Sequence, residues 1–97
     1  MKGIRLDFKL SDFATQRGMK INSFKLQDGT TATILSNPAT NTSDFYHTKG
    51  DYLLGVKGFR GKNSYIASLN LMQMLTKKAI SPHDACTAWS RSINRFA

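Results

Sequence analysis

Residues 19–36, MKINSFKLQDGTTATILS, decide the fold class. Asp28-Gly29 stands between one run containing Phe24 and Leu26 and another containing Ile34 and Leu35. Asp-Gly in that setting is a strong hairpin signal, because a type I′ turn needs positive φ at both central residues. A two-residue loop sets Leu26 opposite Thr31 and Phe24 opposite Thr33. Thr30, Thr31 and Thr33 add β-branched side chains that suit a pleated surface. An antiparallel sheet is therefore expected around this turn.

Upstream, Ile4, Leu6, Phe8 and Leu10 alternate with Arg5, Asp7 and Lys9, the period-2 pattern of a half-buried strand. Ser11 offers a capping oxygen, Asp12 suits the positive end of a helix, and Gly18 supplies a stop, so a short helical turn is expected over 12–17. Downstream, Pro38 cannot donate to a ladder and ends the strand before it. DFYHT and DYLLGV then flank Lys49-Gly50, which predicts a second hairpin with Phe45 opposite Leu54 and Tyr46 opposite Leu53.

The pattern changes after Gly61. Ile66, Leu69, Met72, Leu75 and Ala79 recur at helical spacing behind Asn63 or Ser64 as cap, with Leu71 and Met74 widening the apolar face. Ser81-Pro82 announces a second helix, since Pro at the first helical position loses no hydrogen bond. Its inward residues are Ala85, Trp89, Ile93 and Phe96. The expected fold is α+β: an antiparallel sheet of four or five strands from residues 2–60, covered by a C-terminal helical hairpin from residues 64–96, in a single domain spanning 1–97.

The 97 residues are 40% apolar and include six Phe, three Tyr and one Trp, enough for one modest core. The chain is expected to fold alone or as a small oligomer such as a homodimer. No apolar run approaches the roughly 20 residues needed to span a bilayer, and the N-terminus lacks the continuous apolar region of a signal peptide. A cytoplasmic location is expected. Cys86 is the single cysteine; no Cys/His spacing suits zinc, and neither a metal nor a cofactor is expected.

Charge is the strongest global signal. Fourteen Lys and Arg stand against six Asp, with no Glu, for a net charge of +8. Residues 1–27 carry +4, residues 28–56 carry −2 and residues 57–97 carry +6. The two basic ends of the chain invite a fold that brings them together for an anionic partner.

Residues 55–65, GVKGFRGKNSY, hold Lys57, Arg60 and Lys62 around Phe59 among three glycines, a composition that suits phosphate contacts and base stacking. Solvated cations at a twisted strand end, with Phe59 in the core, give the same composition. Lys57-Gly58-Phe59 matches only the first three positions of the aromatic RNA-recognition strand and departs from it at Arg60, so that motif is set aside. Lys77 and Lys78 close the first C-terminal helix, while Arg91 and Arg95 share a face of the second. The short connection resembles a helix-turn-helix, but Asp84 stands where a phosphate or base edge would approach.

Catalysis has little support. His47 and Asp44 point to opposite faces of one strand, His83-Asp84 reads as cap chemistry, and Cys86 reads as packing. The expected function is therefore non-enzymatic binding of DNA or RNA through phosphate neutralisation, with Lys57, Arg60, Lys62, Lys77, Lys78, Arg91 and Arg95 as contacts and no sequence readout. The alternative is an inhibitor or adaptor module of phage or mobile-element type that docks on an acidic or nucleic-acid-processing protein. A third reading is a ribonuclease toxin using Lys57, Arg60, Lys62 and Tyr65 to stabilise a pentacoordinate phosphate.

Overall fold

A computed structural model of the chain describes residues 3–60 and 63–96, with Phe59, Arg60, Arg95 and Phe96 described by their backbone alone. The elements run β1 (Ile4–Arg5), α1 (Leu10–Gln16), β2 (Lys20–Lys25), β3 (Thr31–Asn37), β4 (Thr42–Lys49), β5 (Tyr52–Arg60), α2 (Ser64–Lys77) and α3 (Pro82–Phe96). The five strands form one antiparallel sheet in the order β1-β5-β4-β3-β2. Strands β2 to β5 are a simple meander, and β1 closes the far edge on β5. A sheet followed by two packed helices is the α+β architecture expected from the sequence.

The β2–β3 turn differs by one residue from expectation. Phe24 pairs with Ala32, Lys25 with Thr31, and the Leu26 N–H donates to the Thr30 carbonyl, so the loop is the three residues 27–29. Gly29 at φ 86° closes it, the left-handed position that a three-residue hairpin assigns to glycine. Asp28 stabilises the loop by accepting the backbone N–H of Thr30 at 3.0 Å. Because side chains alternate, this register sets Phe24 on the same face as Ala32, Ile34 and Phe45, where the core lies.

The second hairpin also shifts. Lys49 pairs with Tyr52 around a Gly50-Asp51 loop, and an irregularity between His47 and Thr48 then sets Phe45 opposite Lys57 and Tyr46 opposite Val56. A bulge of this kind adds a residue to one strand, here Leu54, and no reading of alternation alone anticipates it.

The N-terminal segment departs most from its pattern. Only Ile4 and Arg5 are paired, and both are exposed. The chain turns into α1 at Leu10, capped by the Lys9 backbone and not by Ser11. Phe8 leaves the strand to meet Phe13 of α1, ring centroids 5.6 Å apart. Gly18 ends the helix as expected, at φ 65°. Phe13, Arg17 and Met19 line a hollow with Asn37, Thr42 and Asp44, which places α1 on the face opposite α2 and α3.

On the other face, α2 and α3 pack on each other and on the sheet around Ile34, Phe45, Leu71, Leu75, Ala85 and Trp89. Trp89 and Phe45 meet with ring centroids 5.7 Å apart. Ser81 caps α3 through its hydroxyl, which accepts the N–H of Asp84 at 3.1 Å. Ala85 and Trp89 are buried, Ile93 packs at the margin of the core, and Phe96 lies outside the described side chains. The buried face of α2 is Ser64, Ala67, Ser68, Leu71, Met72 and Leu75. Four residues expected inside are exposed: Ile66, Leu69 and Met74 on α2, and Ala79, which lies past the end of the helix at Lys77. Small side chains let α2 approach the sheet closely, and the hydrocarbon is displaced to its outer side.

Candidate nucleic-acid interface

The pairing registers place four residues in one row across the sheet: Lys20 opposite Ser36, Ser36 opposite Ser43, and Ser43 opposite Phe59. The next row runs Asn37, Thr42 and Arg60. This end of the sheet lies under the start of α2, because the Ser43 hydroxyl donates to the Ser64 carbonyl at 3.1 Å. The Lys20 ammonium donates to the Tyr65 hydroxyl at 3.2 Å, joining β2 to the first turn of α2.

Arg17 arrives at the same end from the opposite face. Its guanidinium stacks 3.7 Å from the Phe13 ring centroid and shares a hollow with Asn37 and Thr42. Stacking on an aromatic ring orders the guanidinium without consuming its charge. Asp44, buried and opposite Gly58, is the carboxylate near this row.

Lys57 lies two residues before Phe59 on β5 and is exposed. Its neighbour Val56, on the other face, is 53% exposed, so β5 is open on both sides at Val56 and Lys57. The 55–65 stretch is thus mainly strand, with Lys57 and Arg60 on β5. The side chain of Arg60, the whole of Lys62 and the side chain of Arg95 lie outside the described residues.

Not all the sequence-derived candidates come together. Lys77 and Lys78 stand at the far end of α2, about 20 Å from its start for a helix of 14 residues. The same far end carries Lys25 and Lys49, and with them Asp28 and Asp51 in the two turns and Asp84 at the start of α3. Arg91 is more than halfway back along α3, where it lines a groove with Asn70, Met74 and Thr87.

Arg17 and Lys20 were missing from the sequence-derived set. Their signal was two cations straddling Gly18, but only the strand order brings them to the start of α2. The His83–Asp84 contact at 3.8 Å is highly exposed and so worth little.

The remaining chemical groups have structural roles. The Thr30 hydroxyl donates to Asp28, which leaves its oxygen to accept from His47 Nε2 at 2.7 Å. The Asp28 carboxyl is held below its ordinary 3.8 chiefly by the Thr30 hydroxyl, then by the Thr30 N–H. Cys86 packs at the margin of the core. Among the described residues, no three His, Cys or Asp side chains converge to hold a metal ion, and no helix is long and apolar enough to cross a membrane.

Comparison with protein-family models, curated proteins and solved structures returned no match.

Proposed function

We propose that this is a non-enzymatic nucleic-acid-binding protein that grips the phosphate backbone with the end of the sheet beneath the start of α2. The observation that carries the reading is that Arg17, Lys20 and the β5 positions Lys57 and Arg60, from segments far apart in the chain, lie toward one end of the sheet, Lys20 and Lys57 on the face of α2 and Arg17 and Arg60 on the other. Lys62 and Arg95 are the other cations of the proposed contact. Charge without base-reading geometry gives affinity and little sequence preference.

The test is a mobility-shift titration against unrelated duplex and single strands over a salt series. Six to ten phosphate contacts make affinity fall about 10³- to 10⁵-fold between 50 and 200 mM salt. A flat salt response, or no shift at low salt, sinks the reading. The exposed Ile66 and Leu69 on the outer face of α2 favour a second reading, docking on an acidic protein. That reading predicts capture of one defined protein and loss of capture on Ile66→Glu, with nucleic-acid affinity absent throughout.

A further inference from the structure

We infer that β2 is a self-complementary edge through which two copies of the chain join into a ten-stranded sheet. The sheet order leaves β2 with β3 as its one neighbour. The Leu26 N–H donates to the Thr30 carbonyl at 2.8 Å, so Leu26 turns its backbone groups toward β3. In an antiparallel ladder this direction alternates, so Phe24, Asn22 and Lys20 also turn inward. The N–H and C=O groups of Ile21, Ser23 and Lys25 point to the open side.

The open run is bounded on both flanks. The Met19 N–H is committed to the Ala14 carbonyl at 2.9 Å, and the Gln27 N–H to the Ile80 carbonyl at 2.9 Å. What remains free is a three-residue set symmetric about Ser23. A two-fold axis through Ser23 therefore matches every open group with one on the second copy, forming about six backbone hydrogen bonds as three doubly bonded pairs. Sliding the register by two residues forfeits one of those pairs, because Met19 or Gln27 would have to supply it.

Lysines on an edge usually guard against such pairing. Here the guard does not act on a second copy. Hydrogen-bonded pairing sets odd positions opposite odd positions, so Lys20 cannot face the second copy's Lys25. The centred register instead sets Ile21 opposite Lys25, Asn22 opposite Phe24, and Ser23 opposite its equivalent. Ile21 is 36% exposed and lends apolar surface to the Lys25 stem. β2 has no Pro, Gly or bulge to twist the edge away.

A single-strand edge buries less than the roughly 1,200 Å² of standard interfaces, and two chains of +8 repel, so the dimer is weak and salt strengthens it. Phosphate binding has the opposite salt dependence, so the two inferences fail separately. Sedimentation equilibrium without nucleic acid, at concentrations on the order of 100 µM that a small interface requires, should give twice the mass of one chain, increasingly so as NaCl rises.

Ile21→Glu sets a carboxylate opposite Lys25 in both symmetric pairs and should raise the dimerisation constant roughly 2- to 30-fold; Ile21→Lys should lower it comparably. The same changes at Ile66, on α2, alter net charge equally and should give a smaller response. Ser23→Pro removes an outward N–H and no internal ladder bond, and should leave a folded monomer by circular dichroism. A monomer at every concentration and salt overturns the inference, as does a response at Ile21 no larger than at Ile66. Should Ser23→Pro fail to fold, the two Ile21 variants still decide.

Discussion

Where α2 begins, it rests on Ser36 and Ser43 and contributes Ser64 and Ser68 to the contact; where it finishes, Leu75 joins a cluster with Leu26, Ala32, Ile80 and Ala85. The charges divide in the same sense. At the starting end lie Lys20 on β2, Arg17 in a hollow with Asp44, and the last residues of β5. At the finishing end Lys25, Lys49, Lys77 and Lys78 are interspersed with Asp28, Asp51 and Asp84. One helix thus spans a polar end and an apolar end where cations and carboxylates are mixed. Apolar burial concentrates at the finish, whereas the buried contact at the start is made largely by serines.

The sharpest way to break this contrast is to truncate one buried side chain at each end. Leu75 is 5% exposed, and Leu75→Ala should cost about 2–5 kcal/mol, since a cavity adds to the lost transfer energy. Ser68→Ala, also fully buried but at the polar end, should cost no more than about 1 kcal/mol, its hydroxyl bonding only the Tyr65 carbonyl. Urea denaturation of both variants measures this. Equal losses would mean that α2 is held evenly along its length.

Next in size is a binding comparison at matched charge. Lys20→Glu with Lys57→Glu, and Lys77→Glu with Lys78→Glu, each take the net charge from +8 to +4. The first pair should weaken nucleic-acid binding about 100-fold and flatten the slope of log affinity against log salt by about 2, for two lost phosphate contacts. The second should weaken it only a few-fold, through the long-range field. Equal losses would show that total charge matters and its placement does not.

How much of this was legible in the chain depended on which physical signal dominated locally. α3 was readable because Ala85, Trp89 and Ile93 carry its apolar face and Ser81-Pro82 marks its start. The face of α2 was not, because hydrophobicity predicts Ile66, Leu69 and Met74 inside, whereas close approach to the sheet selects Ser64, Ala67 and Ser68. The hairpin at Asp28-Gly29 was readable and its register was not, since a third loop residue costs the sequence no visible mark. The alternation from Ile4 to Leu10 looked like a strand, yet α1 draws in Leu10 and Phe8. Two residues of the candidate interface, Arg17 and Lys20, depended on strand order, which alternation does not encode.

A smaller effect separates two serines in the shared row. Ser36 and Ser43 face each other, both fully buried, but the Ser36 hydroxyl has no hydrogen-bond partner while Ser43 donates to the Ser64 carbonyl. Ser36→Ala should stabilise by about 1 kcal/mol, by relieving an unmatched desolvated group, and Ser43→Ala should destabilise by about the same amount. Thermal melts read the opposite signs. If both variants destabilise, Ser36 holds a buried water and the polar end is more tightly built than its direct contacts indicate.

The smallest expected effect belongs to the finishing end and is a pH dependence. Asp28 accepts from the Thr30 hydroxyl and N–H, and these bonds hold its carboxyl below 3.8 in the folded chain. A depressed carboxyl binds its proton less readily folded than unfolded, so the unfolded state takes up protons first. Its stabilisation is complete above the unfolded value, near 3.8, and is lost as pH falls through the lower folded value. Melting temperature should therefore drop on acidification below about pH 4, and Asp28→Asn should remove part of that drop while lowering stability at neutral pH. An unchanged acid slope in Asp28→Asn would move the acid-sensitive carboxylate elsewhere.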